Sequence, residues 1–194
     1  MTACWLLLAI ICNAEPILTA STEVPTKGES IASPSVVAAI LALEDKDDVH
    51  RLDECIQELG LKKKDHHKLF RSVKVKKCPD GKELFFVRPA LEPYCMAFYG
   101  AHLFRYWLVT VQKEAGKEKT RILFANGGDA FEILPEETMG YYDIATTGCT
   151  ARDCGTANWK FDGKKYVAFR CILKEYSMEN YDMVEKIVDC HEWE

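Results

Sequence analysis

The chain has 194 residues, 48% of them hydrophobic, enough apolar content to fill the core of one domain of ordinary size. Its 25 Lys and Arg are set against 30 Asp and Glu, for a formal net charge of -5. Such a balance repels a polyphosphate and argues against a nucleic-acid partner. The basic run Lys62, Lys63, Lys64 and Lys68 has no interleaved aromatics and reads as a solvated helix end.

At the N-terminus, Trp5-Leu6-Leu7-Leu8-Ala9-Ile10-Ile11 is apolar but falls short of the roughly 20 residues that span a bilayer. Cys12 and Ala14 then supply small residues where a signal peptidase reads them, so residues 1 to 14 are expected to be a signal peptide. A secreted or periplasmic location follows. No later stretch is apolar enough for a transmembrane segment. Cleavage after Ala14 would leave Cys55, Cys78, Cys95, Cys149, Cys154, Cys171 and Cys190 to an oxidising compartment, an odd set that keeps at least one thiol over. Cys149 and Cys154 form the most plausible local disulfide, across a polar loop. Cys55 falls on the apolar face of a predicted helix and is expected as a buried free thiol.

Residues 15 to 32, with Pro16, Pro25 and Gly28 and no clear period, read as a flexible leader, and residues 33 to 194 as a single globular domain. Ser33-Pro34 starts a helix that carries Val37, Ile40, Leu41 and Leu43. The acidic cluster from Glu44 to Asp48 reads as a solvated break, after which Val49, Leu52, Ile56 and Leu59 form a helical stripe ending at Gly60. From Leu69 the period shifts toward two. Turns at Pro79-Asp80-Gly81, Glu114-Ala115-Gly116, Asn126-Gly127-Gly128 and Asp162-Gly163 separate β-rich runs. From Ser177, the three- and four-residue steps of Met178, Tyr181, Val184, Ile187 and Val188 predict a terminal helix. The expected fold is α+β, with an antiparallel sheet of about seven strands, N-terminal helices and a C-terminal helix.

No motif for catalysis stands out. Gly-x-Ser-x-Gly, His-Glu-x-x-His, a P-loop and Gly-x-Gly-x-x-Gly are all missing from the sequence. Asp65-His66-His67 has no second ligand pair, and the acidic cluster lacks the EF-hand pattern, so neither metal nor other cofactor is expected. Glu136, Glu137 and Asp143 could supply a carboxylate pair, but no cleft is marked around them. An enzyme built around Cys95, His102 and Asp143 is the alternative reading, and it needs a thiolate or a carboxylate poised in a cleft. Aromatic residues are the remaining hint. Tyr99, Tyr106, Trp107, Tyr142 and Trp159 are the candidate binding residues, set against the plainer reading of a strand buried on both faces.

Gly140-Tyr141-Tyr142-Asp143-Ile144, Trp159-Lys160-Phe161-Asp162-Gly163-Lys164-Lys165-Tyr166 and Cys171 resemble the C-terminal half of uncharacterised exported bacterial proteins. Val87 to Gly100, with Pro93-Tyr94-Cys95 and Phe98-Tyr99-Gly100, resembles the middle of the same group. The resemblance implies an exported β-rich domain and brings no catalytic residue or ligand with it. Small periplasmic lysozyme inhibitors share the general profile of signal peptide, disulfide and antiparallel sheet, without a shared motif. The expected function is therefore that of a non-catalytic binding protein, its partner a protein, with inhibition of that protein as one form of binding. A structural envelope protein is the third reading.

Overall fold

The computed structural model of the chain describes residues 15–114, 116–176 and 182–193. Chain order begins with two short strands, β1 (Leu18–Ser21) and β2 (Ser30–Ile31), then two helices, α1 (Pro34–Leu41) and α2 (Lys46–Glu58). β3 (Phe70–Lys77), β4 (Glu83–Pro89), β5 (Phe104–Glu114) and β6 (Lys117–Gly128) follow. The later half is β7 (Ala130–Thr138), β8 (Tyr141–Cys149), β9 (Asp153–Phe161), β10 (Tyr166–Tyr176) and β11 (Met183–Val188). All pairings are antiparallel and fall into two sheets, in the orders β2-β3-β4-β5-β6 and β1-β7-β8-β9-β10-β11.

Alternation along β5 explains how the layers stack. Phe104, Tyr106 and Leu108 point to one face and join Phe86 of β4, Phe131 of β7, Ile144 of β8 and Trp159 of β9 in the core between the sheets. Trp107, Val109 and Val111 point to the other face and pack under Val36, Val37 and Ile40 of α1 and Leu52 and Ile56 of α2. The five-stranded sheet is thus buried on both sides, and the six-stranded sheet on one. A register shift between β5 and β6 gives β6 one extra residue, Leu123. That bulge turns Leu123 and Phe124 together toward the core between the sheets, while Ile122 packs on the helix side.

The expectation of one α+β sheet is corrected by this arrangement: the described residues are mostly β, with two sheets and only short helices among them. The two N-terminal helices lie where their signals place them, with Ser33 capping Val36 N–H of α1 and Pro34 in the first turn. No single sheet continues past β6, because the chain changes sheets at Gly128-Asp129. There Gly128 is needed for close approach: a Cβ on it would sit 2.6 Å from the Thr147 carbonyl oxygen. The predicted C-terminal helix is replaced over its described part by β11, which pairs with β10, so that the strand's backbone groups are satisfied by a neighbour instead of within a helix. Met178 and Tyr181 lie outside the described residues.

The flexible leader is also corrected. β1 pairs with β7 and β2 with β3. Between them, the buried Arg88 guanidinium donates to the Val24 carbonyl at 3.0 Å, the Thr26 hydroxyl at 3.4 Å and the Thr22 carbonyl at 3.5 Å. Arg88 stacks over the Phe104 ring, 4.6 Å from its centroid, so a core cation anchors this segment through neutral acceptors. Residues 1 to 14, the expected signal peptide, lie outside the described residues. Among those described, no helix is long and apolar enough to cross a membrane.

Three disulfides are formed among the described residues. Cys55–Cys95 joins α2 to the chain before the short 3-10 turn Met96–Phe98, Cys149–Cys154 bridges the β8–β9 hairpin, and Cys171–Cys190 holds the chain after β11 against β10. The Cys149–Cys154 expectation agrees with this pairing. Cys55 is not a free thiol: α2 and the 95–98 segment pack side by side and bring the two sulfurs within bonding distance. Among the described residues the free thiol is Cys78, which is buried.

Candidate functional site

One end of the sandwich opens as a cleft of about 340 Å³, lined by Ser21, Thr22, Glu23, Tyr94, Tyr99, His102 and Asp129 together with Gly100 and Ala101. Three separate segments meet there: the end of β1, the loop before β5, and the β6–β7 crossover. The Thr22 hydroxyl donates to the His102 carbonyl at 2.7 Å, which fixes the first segment to the second. Asp129 is fixed from two sides. Its N–H donates to the Thr147 carbonyl at 2.8 Å, and its Oδ2 accepts the Cys149 N–H beside the disulfide.

Tyr94 and Tyr99 form the aromatic wall, their ring centroids 5.1 Å apart. The Tyr99 hydroxyl donates to the Pro89 carbonyl at 3.0 Å. Burial pushes the Tyr99 hydroxyl pKa above its ordinary value, with the neighbouring Arg88 opposing in part. Tyr99 is therefore a neutral phenol at physiological pH. Glu23 and Asp129 are the acidic members of the lining, and no Lys or Arg is among its residues. Behind the wall, Arg88 is occupied by backbone carbonyls and hydroxyls.

The five aromatic candidates do not share one surface. Tyr99 lines the end cleft. Tyr106 is fully buried between the sheets, and burial pushes its hydroxyl pKa far up, with Thr146 opposing in part. Trp107 is fully buried on the helix side, where its indole N–H donates to Glu44 Oε1 at 2.7 Å. Arg105 Nε lies 3.3 Å from the other oxygen of Glu44, so the first residue of the acidic cluster is an anchor instead of a solvated break. Tyr142 lies under the Lys76 ammonium, 4.1 Å from its ring centroid. Trp159 is nearly buried and donates to the Thr146 hydroxyl at 2.9 Å.

The thiol enzyme reading is corrected. Cys95 is bonded to Cys55 and offers no thiolate, because a disulfide sulfur carries no proton to lose. His102 lies in the end cleft, whereas Asp143 lies on β8 near Tyr166, whose hydroxyl pKa is pushed up chiefly by burial, with Cys78 and Asp143 adding to it. One oxygen of Asp143 is buried without a hydrogen-bond partner among the described residues.

Sequence reasoning missed Glu23, Thr22 and Asp129. Thr22 and Glu23 fell in the stretch read as a leader, and Asp129 follows a glycine pair read only as a turn. Among the described residues no cluster of three His, Cys, Asp or Glu side chains is arranged to hold a metal ion. No family model, curated protein or solved structure matches the chain.

Proposed function

We propose that this is an exported, non-catalytic binding protein that takes a small ligand bearing a positive charge in its end cleft. The carrying observation is the lining itself: two tyrosine rings and the carboxylates of Glu23 and Asp129, with His102 beside them and neither Lys nor Arg among the lining residues. Aromatic faces and fixed carboxylates are the groups that receive an ammonium or guanidinium. Asp129 is preorganised for this, since its Oδ2 is already held by the Cys149 N–H and Oδ1 remains for another donor. Three disulfides fit an extracellular protein, and the apolar segment with its small-residue cleavage site supports export.

The test is a calorimetric titration of the full chain with benzylammonium and with neutral benzyl alcohol, repeated on Asp129→Asn. Benzylammonium should bind tightest, and the variant should weaken it at least fivefold while leaving thermal unfolding near that of the parent. Equal binding of the alcohol, or an Asp129→Asn variant as tight as the parent, would overturn the reading.

A further inference from the structure

The molecule has a second opening, of reversed charge. β6 is the last strand of its sheet, and beside it the β9–β10 hairpin of the other sheet leaves a slot of about 230 Å³. Its walls are Phe124, Trp159 and Tyr166, with Phe124 steeply inclined to Trp159 at a centroid distance of 4.9 Å and to Tyr166 at 5.8 Å. The bulge at Leu123 is what brings Phe124 into this wall.

The polar groups of the walls are already used. The Trp159 indole N–H goes to Thr146, and the Tyr166 hydroxyl donates to the Tyr142 carbonyl at 2.8 Å. What the lining keeps for a ligand comes from Lys165 and Asn126. The Asn126 Oδ1 accepts the Gly127 N–H at 2.8 Å, which leaves its amide nitrogen as a donor. Lys165 is exposed and offers its ammonium, and Oδ1 of the nearby Asp162 accepts the N–H groups of Lys164 and Lys165. Outside the slot lining, the Arg121 guanidinium ties β6 to the β9–β10 turn by donating to the Lys164 carbonyl at 2.7 Å. Aromatic walls with the Lys165 ammonium and the Asn126 amide at the rim suit a flat ring carrying an anionic acceptor.

We propose that this slot binds a small planar aromatic carboxylate, its ring against Phe124 and Trp159 and its carboxylate on Lys165 and Asn126. The site is independent of the end cleft. The experiment follows amide and indole resonances of the isotopically labelled full chain during titration with benzoate and 2-naphthoate, and with 2-naphthylmethylammonium as the cationic isostere. Resonances of residues 123 to 126 and the Trp159 indole should move with a carboxylate. Lys165→Glu should weaken binding about tenfold or more. Lys160→Glu, on the same hairpin but outside the slot lining, should stay within twofold of the parent, as should Asp129→Asn. Binding of neither carboxylate, an ammonium isostere that binds as well, or a Lys165→Glu variant of unchanged affinity would overturn the proposal. Because Asp129 belongs only to the end cleft, failure here and failure there are separate results.

Discussion

The two sheets solve burial differently. The five-stranded sheet is covered by helices on one face and by its partner sheet on the other, and β4 and β5 accordingly carry near-continuous apolar runs such as Leu84-Phe85-Phe86-Val87 and Tyr106-Trp107-Leu108-Val109. The six-stranded sheet faces solvent on one side, and its strand β9 alternates Ala157, Trp159 and Phe161 inward with Asn158 and Lys160 outward. The comparison teaches where function has room. Both openings lie at the ends and unpaired edges where the two sheets meet, and neither lies beneath the helices.

The largest expected break in this comparison is Trp107→Ala. It removes a side chain enclosed on the doubly covered sheet and one of the two partners of Glu44, so denaturant unfolding should show a loss of about 3 to 5 kcal/mol. Phe169, 47% exposed on the single-faced sheet, should cost less than about 0.5 kcal/mol on replacement by Ala in the same assay. A loss for Phe169 as large as for Trp107 would show the outer face to be covered.

Disulfide removal sharpens the contrast at intermediate size. Replacing both cysteines of Cys55–Cys95, which close a separation of 40 residues and attach the helix layer, should cost about 4 kcal/mol on loop-entropy grounds. The same change at Cys149–Cys154, separated by only 5 residues on one hairpin, should cost about 2 kcal/mol. Melting curves of the two double serine variants check the ranking.

The smallest effect is electrostatic. Asp53 of α2 is held below the ordinary carboxylate range by the hydrogen bond from Lys63, helped by His66 and opposed by burial. A depressed folded pKa means stability present above the unfolded carboxylate value and lost as pH falls through the folded one. Asp53→Asn should therefore cost about 0.5 kcal/mol at neutral pH and progressively less as acid titrates the parent's carboxylate. A pH series of chemical denaturation reads this directly.

Local chemistry was legible in the sequence and layer assignment was not. The Ser33-Pro34 helix start and the Asp162-Gly163 turn act over a few residues, and both occur where those residues place them. The turn signal at Asn126-Gly127-Gly128 looks like the others, yet there the chain leaves one sheet for the other. What decides this is the approach of Gly128 to Thr147, a contact between residues whose neighbourhood depends on the finished fold. The end cleft was half legible for the same reason. Tyr99 and His102 drew notice through their aromatic surroundings, but Thr22 and Asp129, 107 positions apart in sequence, meet only after both sheets are formed. Val184, Ile187 and Val188 fit a helical stripe as well as a strand, and the open edge of β10 resolves that ambiguity.

Cys78 lies buried against Tyr141 between the sheets, and burial pushes its thiol pKa up. In the folded protein it is inert; in any molecule that opens, a normal thiol of pKa about 8.5 appears beside three disulfides it can attack. Refolding is thus a race between closing the sandwich over this sulfur and scrambling the bridges. Heating above pH 8 should make unfolding irreversible, and Cys78→Ala should restore recovery of native protein on cooling.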